Sequence, residues 1–242
     1  MISGVFFDLG GTLFHYEGAN NAIGAALVKA MMALGASSPQ DVGRAYGQAH
    51  QEVSVEFADR DYYLHADMFR STFLRATKAL SIPFDELIYQ AFSEVQHKAI
   101  VDGLELKVDC LATLDKLRAQ GHYLSIVSNI DEDMLQPLVA REVLHDYLDH
   151  WTSSEAAGSC KPHKTFFEVS LEKSGLSADQ VLFVGDSPEH DVNGASAMGM
   201  RTALVRNGGR PAPLQSGKTT VEPDHVIDEL AELVAILETG GT

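Results

Sequence analysis

Short apolar runs alternate with longer segments of helical periodicity over much of the chain. The runs at Val5–Phe7, Tyr123–Asn129 and Val181–Asp186 are apolar on both faces or end in polar residues. Runs of this length predict strands buried on both sides, as in a parallel sheet. Shorter runs at Thr202–Val205 and His225–Asp228 predict two further strands.

Helical segments separate these strands. Asp109–Gln120 places leucines on one helical face and stops at Gly121, and Asp228–Leu237 predicts a closing helix. Arg206–Pro223 is rich in Gly, Pro and Ser and predicts an exposed loop. Strands that alternate with helices indicate an α/β fold with a doubly wound, Rossmann-like parallel sheet.

The region from residue 17 to residue 100 differs, because helical periodicity dominates and strand-like runs are hard to find. Four helices are predicted there: Ala22–Gly35, Asp41–Phe57, Tyr62–Leu80 and Phe84–Ile100. The prediction is therefore an α/β core made of residues 1–16 and 101–242, interrupted by a helical insert at 17–100. The insert leaves the core just after the first strand, so we expect it to form a cap over the site described next.

Polar residues end three of the predicted strands. Asp8 follows the first, Ser128 and Asn129 end the second, and Asp186 ends the third. Ligands of open parallel sheets bind outside the carboxyl ends of the strands. The sequence therefore predicts that these side chains meet in one site.

Charge and composition narrow the expected partners. The 242 residues include 34 acidic and 18 basic side chains, for a formal net charge of −16. So acidic a chain disfavours nucleic acid and anionic lipid as partners. Two cysteines make no disulfide framework, and neither a membrane span nor a secretory signal is visible, so we expect a cytoplasmic protein. The oligomeric state is left open.

Four segments in order, DLGGTL, IVSN, CKPHKTFFE and VGDSPEHDVNGASAMGM, resemble the motifs of the haloacid dehalogenase (HAD) superfamily. The insert between the first two is similar to that of members with a small α-helical cap. The resemblance implies a Mg²⁺-dependent phosphomonoester hydrolase that acts on a small phosphorylated metabolite through an aspartyl-phosphate intermediate.

The phosphoryl site follows from both the residues and the resemblance. Asp8 would be the nucleophile, since carboxylates form such intermediates. Gly11 and Thr12 belong to a tight loop whose backbone can approach a phosphate closely. Ser128 and the backbone N–H of Asn129 would bind a phosphoryl oxygen, although both could instead cap the next helix.

The remaining motif residues concern charge. The resemblance assigns Lys161 to neutralise Asp8 and the transferring phosphoryl group; the alternative is a solvated surface lysine. An unpaired carboxylate at the buried position of Asp186 would be costly, and Mg²⁺ would offset that cost. By the family pattern the metal is held by Asp8, the Gly10 carbonyl and Asp186, with Asp191 behind them; Asp191 could also be a helix N-cap.

Gly10 departs from the family, whose phosphatases usually carry a second aspartate there as general acid and base. A general acid or base of this kind typically raises the reaction rate ~10² to 10⁴-fold. Its absence should therefore slow catalysis even if metal binding is unaffected. One interpretation is a phosphatase that works without this acid, either on a substrate with a good leaving group or with His15 or Glu17 as a substitute. A second is another reaction: dehalogenases usually have tyrosine here and need no metal, and phosphonate cleavage needs a cap lysine that Lys29 and Lys78 match poorly. A third is a non-catalytic or weakly catalytic protein that binds a phosphate ligand.

The insert itself does not specify the substrate. Arg60, Tyr62, Tyr63, His65 and Arg70 form a basic and aromatic group that could contact an anionic or sugar substrate. An amphipathic helix surface is the more common explanation for such a group.

Overall fold

The computed structural model describes residues 1–58, 60–209, 212 and 215–239. In chain order, the strands within them are β1 (Gly4–Phe7), β2 (Phe14–His15), β3 (Glu105–Leu106), β4 (Tyr123–Ser128), β5 (His150–Ser153), β6 (Val181–Gly185), β7 (Arg201–Val205) and β8 (His225–Ile227). Six of them form one parallel sheet in the order β5–β4–β1–β6–β7–β8. β2 and β3 pair separately as a short antiparallel ribbon.

The helices surround the sheet and fill the region between β2 and β3. In the described part of the chain they are α1 (Glu17–Ala33), α2 (Pro39–Ala58), α3 (His65–Ala79), α4 (Glu86–Gly103), α5 (Cys110–Ala119), α6 (Glu132–Arg141), α7 (Ser154–Ala157), α8 (Lys164–Ser174), α9 (Asn193–Ala197) and α10 (Glu232–Glu238). A π-helical turn, Pro188–Val192, precedes α9. None of the described helices is both long and apolar enough to cross a membrane.

The central strand β1 is buried on both faces. Val5 and Phe7 pack on one side of the sheet with α5, α6 and α10, whereas Phe6 packs on the other with Phe166 and Phe167 of α8. Two covered faces explain why the strand sequences are apolar without alternation. The predicted α/β fold with a doubly wound parallel sheet is therefore confirmed.

Helices α1–α4 form a bundle with an apolar core of its own. α1 packs on α4 and α2 on α3, around a cluster that includes Leu27, Met31 and Phe73. This four-helix segment is joined to the sheet layer through the β2–β3 ribbon, in which Phe14 pairs with Leu106.

Some predicted boundaries differ from the structure for identifiable reasons. The predicted start of the third helix at Tyr62 is three residues early, because the Asp131 carboxylate accepts the N–H groups of His65 and Ala66 and caps α3 there. The closing helix begins at Glu232 rather than Asp228, because the Glu232 carboxylate accepts the N–H groups of residues 228 and 229 and fixes a turn. In 206–223, residues 210, 211, 213 and 214 lie outside the described part; the rest contains no helix or strand longer than a single bridge.

Candidate active site

The carboxyl ends of three adjacent strands bring the predicted residues together. β1 lies between β4 and β6, so Asp8, Ser128 and Asp186 lie side by side at the carboxyl ends of these strands. Ser128 Oγ donates a hydrogen bond to Asp8 Oδ1 at 3.0 Å. Thr12 Oγ1 lies 3.5 Å from Asp8 Oδ2. Asp8 thus lies at the centre of the site.

Lys161 is buried between two carboxylates. Its Nζ lies 2.6 Å from Asp8 Oδ1 and 2.7 Å from Asp191 Oδ1, and its side chain is only 2% exposed. Burial pulls the pKa of Lys161 down, but the charges and hydrogen bonds of Asp191 and Asp8 outweigh burial and raise that pKa above its ordinary value. The alternative of a solvated surface lysine is therefore excluded.

Asn129 holds the backbone of Lys161 in place. Its Oδ1 accepts the Lys161 N–H at 2.7 Å, and its Nδ2 donates to the Lys161 carbonyl at 3.1 Å. The side chain of Asn129 therefore does not cap the helix that follows; it ties the end of β4 to the segment that carries the lysine.

Three carboxylates converge on one point. One oxygen from each of Asp8, Asp186 and Asp191 lies within 4.8 Å of the other two, and all three residues are buried. Burial, followed by the negative charges of Asp8 and Asp191, raises the pKa of Asp186 from 3.8 to about 8. Burial also raises the pKa of Asp191, against the opposing charge of Lys161. One ammonium cannot neutralise three carboxylates, so the donor set fits a hard divalent cation.

Asp191 lies inside the π-helical turn rather than at a helix N-cap. Its Oδ2 accepts the backbone N–H of Ser187 at 3.0 Å, while its Oδ1 accepts from Lys161. The turn therefore aims Asp191 at the lysine and away from the solvent.

Two residues behind Asp186 were missed by the sequence analysis. Asn207 Nδ2 donates to Asp186 Oδ2 at 3.1 Å, and Lys107 Nζ donates to Asn207 Oδ1 at 3.0 Å. Asn207 follows β7, so polar residues after the predicted fourth strand were a usable signal. Lys107 follows the two-residue strand β3, which leaves no readable pattern.

Gly11 is required by the loop after β1. Its φ is +79°, and a Cβ there would lie 2.0 Å from Asp186 Oδ2. A side chain at residue 11 would therefore strain the backbone and displace a carboxylate of the cluster.

Gly10 faces a tyrosine. Its φ is not positive, but a Cβ built on it would lie 2.4 Å from the Tyr16 hydroxyl oxygen and 2.7 Å from Cζ. Burial, then the negative charges of Asp186, Asp8 and Asp191, raises the pKa of Tyr16 well above 10, which keeps the phenol protonated. The two predicted substitutes, His15 and Glu17, line the cavity with exposed side chains, whereas Tyr16 between them was not predicted.

A cavity of about 1070 Å³ opens above these residues. Its floor includes Asp8, Lys161 and Asp186, and its opposite wall comes from the four-helix segment, including His50 and Gln96. The α3 cap at Asp131 is a direct link between the segment and the sheet layer, with N···O distances of 2.7 and 2.9 Å.

The basic and aromatic group in the insert is mostly turned away from this cavity. Among its members, only His65 belongs to the described cavity lining. Arg60 lies over the Phe57 ring and pairs with Glu56, and Arg70 pairs with Glu86 through two hydrogen bonds. The surface explanation therefore applies to both arginines. Lys29 and Lys78 are exposed and do not belong to that lining either.

Comparison with known proteins agrees with this geometry. Ribulose-1,5-bisphosphate 5-phosphatase of Halopiger xanaduensis is 29% identical, covering 98% of this chain and 100% of the relative. Glyceraldehyde 3-phosphate phosphatase of Methanocaldococcus jannaschii is 25% identical, covering 98% of each chain. The solved L-2-haloacid dehalogenase of Xanthobacter autotrophicus superposes with a TM-score of 0.73 at 25% identity, covering 99% of this chain and 100% of that one.

A family match extends over most of the residues that build the sheet and the site. Residues 2–199 match the haloacid dehalogenase-like hydrolases, and this span contains the first three motifs, the fourth as far as Gly199, the four-helix segment and the carboxylate cluster. With the fold, the ordered motifs and the buried Asp8–Lys161 pair in agreement, the chain belongs to the haloacid dehalogenase-like hydrolase family.

Proposed function

We propose that the protein is a Mg²⁺-dependent phosphomonoester hydrolase that acts on a small phosphorylated metabolite. The observation that carries the proposal is the placement of Asp8, with one oxygen held by Lys161 and Ser128, beside two further carboxylates that can share a metal. The relatives named as phosphatases support the same reaction class.

The proposed reaction has two displacements at phosphorus. An Asp8 carboxylate oxygen attacks, the bond from phosphorus to the ester oxygen breaks, and the alcohol leaves with a proton from water. Water then attacks the aspartyl-phosphate, which releases inorganic phosphate and restores Asp8. In this proposal Lys161 balances the charge of Asp8 and of the phosphoryl oxygens, while Ser128 and the Asn129 N–H bind one of those oxygens.

The carboxylate cluster fits Mg²⁺ in charge and in ligand type. Asp8, the backbone carbonyl of Gly10 and Asp186 would hold the ion, with Asp191 oriented behind them. The ion would supply positive charge that neutralises the phosphoryl oxygens during transfer. The hydrogen bond from Asn207 orients Asp186, and Lys107 orients Asn207 in turn.

We expect Mg²⁺ to stabilise the protein more at higher pH. The pKa of Asp186 is raised from 3.8 to about 8. Between these pH values the carboxyl group is protonated in the folded protein and ionised in the unfolded chain. Without metal, that contribution to stability is present below pH 3.8 and is lost as pH rises to about 8. Mg²⁺ replaces the proton, so the rise in Tm from MgCl₂ should grow between about pH 6 and pH 9. Thermal unfolding with and without MgCl₂ measures it; a rise that is independent of pH would contradict the prediction.

We also propose that residues 17–100 act as a cap on a core of residues 1–16 and 101–242. The four-helix segment lines the cavity opposite Asp8, and the Asp131 link holds α3 against the sheet layer. The proposed cap would exclude water and contact the part of the substrate beyond the phosphate.

A panel of phosphorylated metabolites, with aryl and alkyl monophosphates, tests the function. Phosphate release that requires MgCl₂ and stops with EDTA is the expected result. Halide release from a 2-haloacid without metal would instead identify a dehalogenase. Saturable binding of phosphate esters without any turnover would identify a ligand-binding protein.

A further inference from the structure

The Tyr16 phenol lies against Gly10, the position at which the family usually has an aspartate. A Cβ built on Gly10 would lie 2.4 Å from the Tyr16 hydroxyl oxygen and 2.7 Å from its Cζ. An aspartate at residue 10 would therefore overlap the phenol, so this position of Tyr16 depends on the glycine.

Backbone hydrogen bonds fix the chain on both sides of Tyr16. Gly11 N–H donates to the Phe14 carbonyl at 2.7 Å, and Phe14 N–H donates to the Leu9 carbonyl at 3.0 Å, so the loop turns back on itself. Tyr16 then lies directly between β2 and α1, and its carbonyl accepts the N–H of Asn20 as the helix begins. The residue is anchored on both sides.

The hydroxyl lies beside Gly10, two residues after Asp8. Tyr16 lines the cavity together with Asp8, Gly10 and Lys161. A side chain at residue 10 and the Tyr16 ring cannot occupy the same space, so the chain can have one of them but not both in this place.

We propose that Tyr16 is a catalytic residue of the phosphatase reaction, whose hydroxyl donates a hydrogen bond to the leaving-group oxygen of the substrate. This inference rests on the proposed function. The phenol keeps its proton throughout, and the alcohol takes its proton from water. The hydrogen bond strengthens as negative charge develops on the oxygen, so it stabilises the transition state more than the bound substrate.

The leaving group provides the test. An alkoxide develops more negative charge than a nitrophenolate, so it depends more on a hydrogen-bond donor. Tyr16→Phe should lower kcat/KM about 10 to 10²-fold on alkyl monophosphates and less than about 3-fold on nitrophenyl phosphate. Tyr62→Phe makes the same chemical change at an exposed tyrosine that is not part of the cavity lining, and should leave both rates unchanged.

The possible outcomes test the role of Tyr16 and the proposed phosphatase function separately. A loss confined to alkyl esters supports the hydrogen bond. An equal loss on both ester classes, or no loss, overturns the role of Tyr16 while phosphate release still supports the phosphatase. Absence of phosphate release from every ester by the unmodified protein overturns the proposed function and this role together.

A second measurement needs no activity. Gly10→Ala should lower Tm by roughly 2 to 10 °C because the new methyl group overlaps the phenol. In a Tyr16→Ala background the same change should lower Tm no further. Gly24→Ala is the control for a methyl group that meets nothing within 4 Å; because Gly24 lies inside α1, where alanine is favoured, it should not lower Tm. An equal effect of Gly10→Ala in both backgrounds would show that the ring does not lie on Gly10.

Discussion

Asp8→Asn is expected to abolish phosphate release while leaving the protein folded. The amide oxygen can still accept from Lys161 Nζ and Ser128 Oγ, which lie 2.6 and 3.0 Å from Asp8 Oδ1. An amide is not a nucleophile toward phosphorus, so turnover should fall at least about 10³-fold. Phosphate release from an aryl ester, with Tm measured alongside, separates the loss of chemistry from a loss of structure.

Asp146→Asn makes the matched change at an exposed aspartate outside the cavity lining, and should retain full activity. Retention of more than about a tenth of the rate by Asp8→Asn would exclude the aspartyl-phosphate route, since no other carboxylate could replace it without moving. The unmodified protein in EDTA serves as a parallel arm that tests the metal separately.

Lys161→Met should both inactivate and strongly destabilise the protein. Nζ is the shared partner of Asp8 and Asp191, and without it three buried carboxylates face one another. Removal of one partner from a buried ion pair typically costs about 3 to 5 kcal/mol. The free energy of unfolding, from urea titration of the metal-free proteins, measures this loss.

The loss of stability caused by Lys161→Met should grow as pH rises. The pKa values of Asp186 and Asp191 are already raised in the presence of Lys161, and removal of its charge would raise them further. Carboxyls with raised pKa values support the fold while protonated, so the variant should be least impaired at low pH and most impaired at high pH. Lys164→Met, at a lysine whose side chain is 77% exposed, is the control and should change stability little. A loss of stability that becomes smaller as pH rises would contradict the role of Lys161 in neutralising the buried carboxylates.

The fold was predictable where buried elements have a recognisable apolar sequence. β1, β4 and β6 lie inside the sheet and are covered on both faces, so their sequences are mostly apolar and do not alternate with charged residues. β5 lies at the sheet edge and reads His-Trp-Thr-Ser, and α6 contains Pro137, so neither carries a strong pattern. The two-residue strands β2 and β3 are too short to show any periodicity.

The site was predictable for a related reason. Residues at the ends of central strands, such as Asp8 and Asp186, are located by the strands themselves, and Lys161 by its motif. Tyr16 and Lys107 reach the site from the ribbon that joins the sheet layer to the helices, and Asn207 from the loop after β7. Their positions depend on tertiary contacts across as many as 100 residues, which no local pattern encodes.

The ribbon also has a mechanical consequence. Both crossings between the sheet layer and the four-helix segment run through β2 and β3, which pair with each other, and Lys107 N–H donates to the Leu13 carbonyl at 2.8 Å just beside them. Tyr16 is the next residue after β2, and Lys107 the next after β3. The joint between the sheet layer and the helices thus carries both Tyr16, which lies against Gly10, and Lys107, which donates to Asn207. We expect any movement of the helices about this joint to shift both residues together.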